Sequence, residues 1–170
     1  PRKFVLYVGD VNYNKNIPNL IAAARMAKLS LVMVGRQAKE LGKMDLSHPE
    51  LSHLRNLDLD LVLRLGFVSD ADLVDIYNLA TVYCQPSLSE GFGLPVVEAL
   101  ACGTPVASSR TSSLPEVGGD AAIYFDPTDT KDMARAIKAA KPSTAPPKFS
   151  WAKTAAQTLQ VYQEVLNIHH

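Results

Sequence analysis

The chain has 170 residues, with 17 basic against 17 acidic side chains and 47% hydrophobic residues. That is enough for one domain with its own core, and the even charge balance points to neither a nucleic-acid surface nor a disordered tail. The apolar runs are too short for a membrane span, and strand-like Phe4 to Val8 follows the N-terminus without a signal-peptide pattern.

The first strand, Phe4–Val8, is rich in β-branched and aromatic residues and stops at Gly9. Asn16 then caps a helix with Pro18 in its first turn, running to about Lys28. Leu31–Val34 is a second strand, ending at Gly35. Residues 37–58 are Leu-rich and irregular, with short helices broken at Pro49. Leu61–Leu65 is a third strand, followed by Gly66-Phe67-Val68. Ser69-x-x-Asp72 resembles a capping box and opens a helix to about Leu79. Thr81–Cys84 is the fourth strand, and a short helix begins near Leu94. Pro105–Ser108 and Ala121–Phe125 complete the strands. Thr130–Ala140 is an amphipathic helix, and Ser150-Trp151 opens a last one, to about Ile168. The expected units are a domain over 1–141, a Pro-rich linker over 142–149, and a C-terminal helix over 150–170 that packs on the same domain. His169-His170 has the look of a purification-tag remnant.

Short apolar strands alternating with helices predict an α/β fold: a Rossmann-like, parallel, six-stranded sheet with helices on both faces. In such a sheet, ligands bind beyond the carboxyl ends of the strands. The unusual residues fall there, in Gly9 to Lys15, Gly35-Arg36, Gly66-Phe67-Val68 and Pro86 to Gly93. There is no G-x-G-x-x-G after the first strand and no G-x-x-x-x-G-K-[ST], which argues against ordinary dinucleotide and P-loop binding.

Pro86 to Pro105 is the most informative stretch. Glu90 and Glu98 stand eight residues apart, with Gly91-Phe92-Gly93 and Pro95 between them. The glycines let backbone approach a ligand, and the helix start would aim unpaired N–H groups at the loop, where a phosphate is stabilised. Glu90 sits on the loop, within reach of a ligand. Glu98 lies in a segment apolar nearly all round, so burial is expected, with a partner that is a distant side chain, a backbone group or a bound hydroxyl. The plainer reading is a Glu at the helix edge facing water.

Other features read as structural. Cys84 and Cys102 have no metal spacing and read as buried thiols of a reducing compartment, hence a cytoplasmic chain. Asp58-Leu59-Asp60 precedes a strand where a metal loop would follow one, and Asp70-Ala71-Asp72 is a helix cap. His48 and His53 are poorly spaced for a metal, so none is expected. Trp151 reads as a packing anchor, and Glu116 as a helix-start acid.

Ser-Glu-Gly-Phe-Gly-Leu-Pro-Val-Val-Glu-Ala-Leu-Ala-Cys-Gly-Thr-Pro-Val, from Ser89, resembles the signature of the family-4, or group 1, retaining glycosyltransferases of the GT-B fold. Glu90 and Glu98 match that family's Glu-x7-Glu motif. Tyr7-Val8-Gly9 with Lys15-Asn16 is similar to its first phosphate loop. Residues 65–70 are similar to its base-contacting loop, and residues 113–122 to the segment after the motif. Phe149-Ser150-Trp151 is similar to the start of its terminal helix.

The resemblance implies the donor-binding half of a two-domain, nucleotide-sugar-dependent transferase of mannosyl or glucosyl type, working on polysaccharide. The acceptor-binding N-terminal domain would lie outside this chain, as would any peripheral membrane association. By the same resemblance Glu98 takes the ribose hydroxyls, and Glu90 holds sugar hydroxyls near the reacting carbon. Gly9, with the backbone of Gly91, Phe92, Gly93 and Leu94, faces the diphosphate, which Lys15 neutralises. Phe67 and Val68 line the base pocket, and no metal or other cofactor is needed. One departure stands out: Asp10 occupies the place of a second phosphate cation, so that either donor binding is weaker or the charge comes from elsewhere, with Arg36 the candidate and an exposed loop Arg the plainer reading of it. Two rival readings are a non-catalytic nucleotide-sugar-binding module and a nucleotide-sugar 2-epimerase-like domain.

Overall fold

The computed structural model describes residues 1–143 and 149–168. Six parallel strands form one sheet: β1 (Phe4–Val8), β2 (Ser30–Val34), β3 (Val62–Leu65), β4 (Val82–Gln85), β5 (Val106–Ser109) and β6 (Ala122–Phe125). Their spatial order is β3-β2-β1-β4-β5-β6, so the strand order reverses between β1 and β4. That reversal is the switch point at which open α/β sheets leave a crevice beyond their strand ends.

Strand pleating divides the core in two. Val5 and Tyr7 of β1, with Leu31 and Met33 of β2, face α1 (Ile17–Ala27) and α6 (Thr130–Ala139). Leu6, Val32, Val34 and Tyr83 face α3 (Asp70–Leu79), α4 (Leu94–Ala101) and α5 (Leu114–Gly118). Strands buried on both sides cannot alternate polar and apolar, and these do not. α2 (Arg36–Glu40) and a 3-10 turn (Pro49–Leu54) occupy the irregular Leu-rich region. Ser69 caps α3 as its sequence predicts: its Oγ accepts from Asp72 N at 3.2 Å and donates to the Asp72 carboxylate at 2.6 Å.

Asn16 departs from expectation. It stands at the cap position of α1, but in the left-handed region (φ 54°), and its side chain caps nothing. Buried, it works at longer range. Nδ2 donates to Pro86 O at 3.0 Å and to Pro127 O at 2.7 Å, while Oδ1 accepts from Asn19 Nδ2 at 2.9 Å. One side chain thereby ties together the loops that follow β1, β4 and β6. Asn tolerates the left-handed conformation better than most residues, which suits it to that position.

Two further expectations are corrected. Cys84 is fully buried, and burial pushes its thiol pKa up, but Cys102 is only half-buried. The last helix, α7 (Trp151–Ile168), does not pack on the domain: residues 151–166 are all exposed, and Trp151, read as an anchor, is 77% exposed. Its apolar stripe of Leu159, Tyr162, Val165 and Leu166 has helical spacing. Such a pattern says that a helix has a face to bury, not which body will cover it. The expected linker falls mostly on residues 144–148, outside the described residues. Among the described residues no helix is long and apolar enough to cross a membrane.

Asn16→Ala leaves the carbonyls of Pro86 and Pro127 without these donors and replaces an Asn in the left-handed region with a residue that tolerates that region less well. The variant is expected to lose about 2–4 kcal/mol of unfolding free energy in urea titration. A loss below about 0.5 kcal/mol would mean that the three loops are held by other means.

Candidate functional site

A crevice of about 330 Å³ opens at the switch point. The end of β1 contributes Val8, Gly9, Asp10 and Lys15, and the end of β4 contributes Gln85 and Glu90. The start of α4 closes it with Phe92, Gly93, Leu94 and Pro95. Two backbone positions shape it. Gly35 packs against Gly9 so closely that a Cβ would sit 2.4 Å from Gly9 O. Gly93, at φ 98°, precedes α4, and a Cβ there would lie 2.6 Å from Leu114 Cδ2. Neither position admits a side chain as it stands: Gly35 lets the residues after β1 and β2 meet backbone to backbone, and Gly93 lets the start of α4 pack against the Leu114 side chain.

Glu90 Oε1 is the most heavily bonded atom of the crevice. It receives Lys15 Nζ at 2.6 Å, Ser87 Oγ at 2.7 Å and Gln85 Nε2 at 2.8 Å. Gln85 Nε2 also donates to Ser87 Oγ at 2.8 Å, and the Tyr83 hydroxyl donates to Gln85 Oε1. Gln85, Ser87 and Tyr83 are all buried. The side chains of Lys15 and Glu90 keep only 20% and 12% of their exposure. In so sheltered a place an ion pair is screened less than on an open surface.

The loop carrying Glu90 is pinned from both sides. Asn14 Nδ2 donates to Ser89 O at 3.2 Å, and Leu88 N to Asn14 O at 2.8 Å. From the β5–α5 connection, Ser109 Oγ and Thr111 Oγ1 donate to Ser87 O at 2.7 and 3.1 Å, and Ser113 Oγ to Phe92 O at 3.0 Å. These hydroxyls satisfy the loop's carbonyls, which have no strand partner there. Tyr7, fully buried, donates its hydroxyl to Asp10 O at 2.5 Å. Burial, with Glu90 and Asp10 nearby, pushes the Tyr7 phenol well above its ordinary pKa, so it remains a neutral donor.

The crevice thus gathers Gly9, Lys15, Glu90, Phe92, Gly93 and Leu94 from the residues expected to form the site. Gly91 lies on the same loop, exposed and outside the lining. Arg36 is exposed at the start of α2 and does not line the crevice, whereas Asp10 does. Phe67 is 79% exposed, and Val68 packs half-buried against the second core face, so no base pocket encloses them among the described residues.

Glu98 is exposed rather than buried. Val96 and Ala99 point into the core, while Leu94, Glu98 and Ala101 form the outward line of α4 at helical spacing. Tyr77 OH donates to Glu98 Oε2 at 2.9 Å. Burial and the adjacent carboxylate push the Tyr77 phenol upward in pKa, keeping it a donor. Glu98 therefore stands one turn beyond Leu94, on the same side of the helix, with a fixed neighbour and solvent access.

The paired acids elsewhere have structural work. Arg25 binds the Asp58 carboxylate and donates to Asp58 O at 3.1 Å and Asp60 O at 3.2 Å. Asp70 and Asp72 form the first turn of α3. His53 Nε2 lies 3.1 Å from Val11 O, with its ring edge-on to Tyr13. The residues that sequence reasoning missed are Tyr77, Tyr83, Gln85, Ser87, Ser109, Thr111 and Ser113. One signal was visible: Gln85 is a polar side chain closing an otherwise apolar strand.

The model of the family described as glycosyl transferases group 1 matches residues 1–152. The O-antigen chain mannosyltransferase B of Escherichia coli is 33% identical over 94% of this chain and 45% of its own length. The serotype-specific mannosyltransferase WbdA of Escherichia coli is 32% identical over 98% of this chain and 22% of its own length. Among solved structures, the sucrose-phosphate synthase of Thermosynechococcus elongatus superposes with a TM-score of 0.75 at 28% identity, over 98% of this chain and 46% of that one. The chain spans less than half the length of each. With its Rossmann-like sheet and Glu-x7-Glu loop, the chain belongs to the glycosyl transferases group 1 family.

Proposed function

We propose that this domain binds the nucleoside diphosphate sugar of a retaining, mannosyl- or glucosyl-type transferase in the crevice between β1 and β4. The observation carrying this reading is the Glu90 carboxylate, held by Lys15, Gln85 and Ser87 at the mouth of that crevice. Glu90 offers acceptor oxygens to sugar hydroxyls. The N–H groups at the start of α4 face the diphosphate, where helix-terminus amides suit an anion. Glu98, on the outward line of the same helix, accepts the ribose diol, with Tyr77 donating to Oε2 and Oε1 left to the ligand. Lys15 is shared between Glu90 and the phosphate as charge builds on the leaving group.

A second domain, absent from the 170 residues, supplies the acceptor site and closes the crevice. The lengths of the relatives support this, since the chain spans 45% of one and 46% of another. A binding module without transfer chemistry is the second reading, favoured by Asp10 in the crevice lining.

GDP, UDP and ADP are the first probes. A nucleotide present at about ten times its Kd stabilises the folded state by about 1.4 kcal/mol and raises Tm by roughly 3–6 °C. No shift with any of the three at millimolar concentration would overturn the donor-site reading.

Glu98→Gln tests the ribose assignment. Glu98 is exposed, so the fold should survive, while nucleotide affinity should fall about tenfold or more, read by calorimetry. Unchanged affinity would assign the ribose to other residues. On the transfer side, this chain alone should release no sugar to an acceptor. Turnover by the isolated 170 residues would show that no second domain is needed.

A further inference from the structure

We propose that Tyr83 is a positioning residue of the donor-sugar end of the crevice, acting through Gln85 on Glu90. This rests on the reading that Glu90 meets the sugar.

Tyr83 has no exposed surface and does not line the crevice. It sits in β4, with its ring 5.7 Å from that of Tyr77 at a 60° tilt, wedged under α3 and α4. Its hydroxyl donates to Gln85 Oε1. That single bond orders the atoms beyond it. With Oε1 turned toward Tyr83, the amide nitrogen faces the crevice and donates both to Ser87 Oγ at 2.8 Å and to Glu90 Oε1 at 2.8 Å. The opposite orientation would set the amide oxygen against the carboxylate, two acceptors facing one another with no proton between them. Ser87, accepting from Gln85, must then spend its own proton on Glu90 Oε1, at 2.7 Å. Each donor in the chain has one consistent role, and the chain begins at the phenol. Burial drives the Tyr83 phenol far above its ordinary pKa, so the proton stays on it.

The consequence for Glu90 is asymmetric. Oε1 is occupied by Lys15, Gln85 and Ser87. Among the described residues Oε2 has no hydrogen-bond partner, so it is the oxygen presented to a hydroxyl. Gln85 thus selects which side of the carboxylate is offered, and Tyr83 holds Gln85 in the orientation that does so. Without the phenol, Gln85 Oε1 becomes a buried acceptor lacking a donor. Nothing then holds the amide in the one orientation that faces its nitrogen to Glu90, and that contact to the carboxylate is no longer fixed.

Tyr83→Phe removes the hydroxyl and keeps the ring. The assay is calorimetric titration of the 170-residue chain with two pairs of probes, GDP against GDP-mannose and UDP against UDP-glucose. For whichever pair the native chain binds, the variant should keep the affinity for the nucleoside diphosphate within about twofold and lose about tenfold for the sugar-bearing ligand. Ser87→Ala, which removes another of the Oε1 donors, should show the same selective loss. It carries the test alone if Tyr83→Phe does not fold. Equal weakening of both ligands would show a general packing role and overturn the proposal, as would no change in either. If the native chain binds neither pair, the donor-site reading itself fails, and this inference fails with it. Retained nucleotide binding in the native chain with an unaltered ratio in both variants sinks the inference alone.

Discussion

One carboxylate oxygen organises the open end of this sheet. Glu90 Oε1 joins a lysine 75 residues earlier in sequence to a glutamine and a serine of its own loop. A loop leaving a parallel strand has no ladder to follow and must satisfy its backbone by other means. Here the neighbours do it: Asn14 and Asn16 from the β1 side, Ser109, Thr111 and Ser113 from the β5 side. The loop is therefore fixed before any ligand arrives. Ordering it at the moment of binding would cost about 1–2 kcal/mol for each residue fixed, so a preset loop keeps that entropy out of the binding equilibrium.

The architecture was readable because the strands are short, mostly apolar runs, and α1, α3 and α4 carry a proline or a capping serine at their starts. β1 spans the residues that its composition predicts, and β4 and β5 each lie one residue further along at both ends. At the start of β5 the reason is plain: Pro105 has no N–H to give the ladder, so it can only accept, from Tyr83 N at 2.8 Å. The crevice was legible too, since Gly9, Lys15, Glu90 and Gly93 converge where parallel-sheet topology says a ligand should sit.

What escaped the sequence depends on direction in space. Glu98 sits among apolar neighbours in the chain, which suggested burial all round. Yet α4 lies in an outer layer, and an eight-residue helix still has one line facing out. Leu94 and Ala101 share that line, so its apolar character masked it. α7 reversed the error. The helix was expected to pack on the same domain, but that domain's two core faces are already occupied by α1 and α6 and by α3, α4 and α5. Asn16 shows the same limit on a smaller scale. A cap is a local role that sequence can suggest. A bridge to Pro86 and Pro127 depends on loops 70 and 111 residues away, which no local pattern encodes.

Charge sets the remaining constraint on the proposed donor site. Among the described residues the lining holds one cation, Lys15, against two carboxylates, Asp10 and Glu90, and Glu90 already engages that cation at 2.6 Å. Two unit charges at 4 Å interact by about 4 kcal/mol at an effective dielectric near 20, whereas a helix terminus contributes about 0.3–1 kcal/mol toward an anion. The start of α4 cannot by itself offset a carboxylate held against a diphosphate. Asp10 resolves part of the conflict by being exposed, so that water screens its side chain while only its backbone carbonyl is bound, by Tyr7. Arg36 stands outside the lining and leaves the rest unresolved. On the proposed reading, the positive charge still owed to the diphosphate must come from across the crevice. Closure against a second domain would then complete the phosphate site as well as bring the acceptor, and the donor would be held tightly only when both halves are in place.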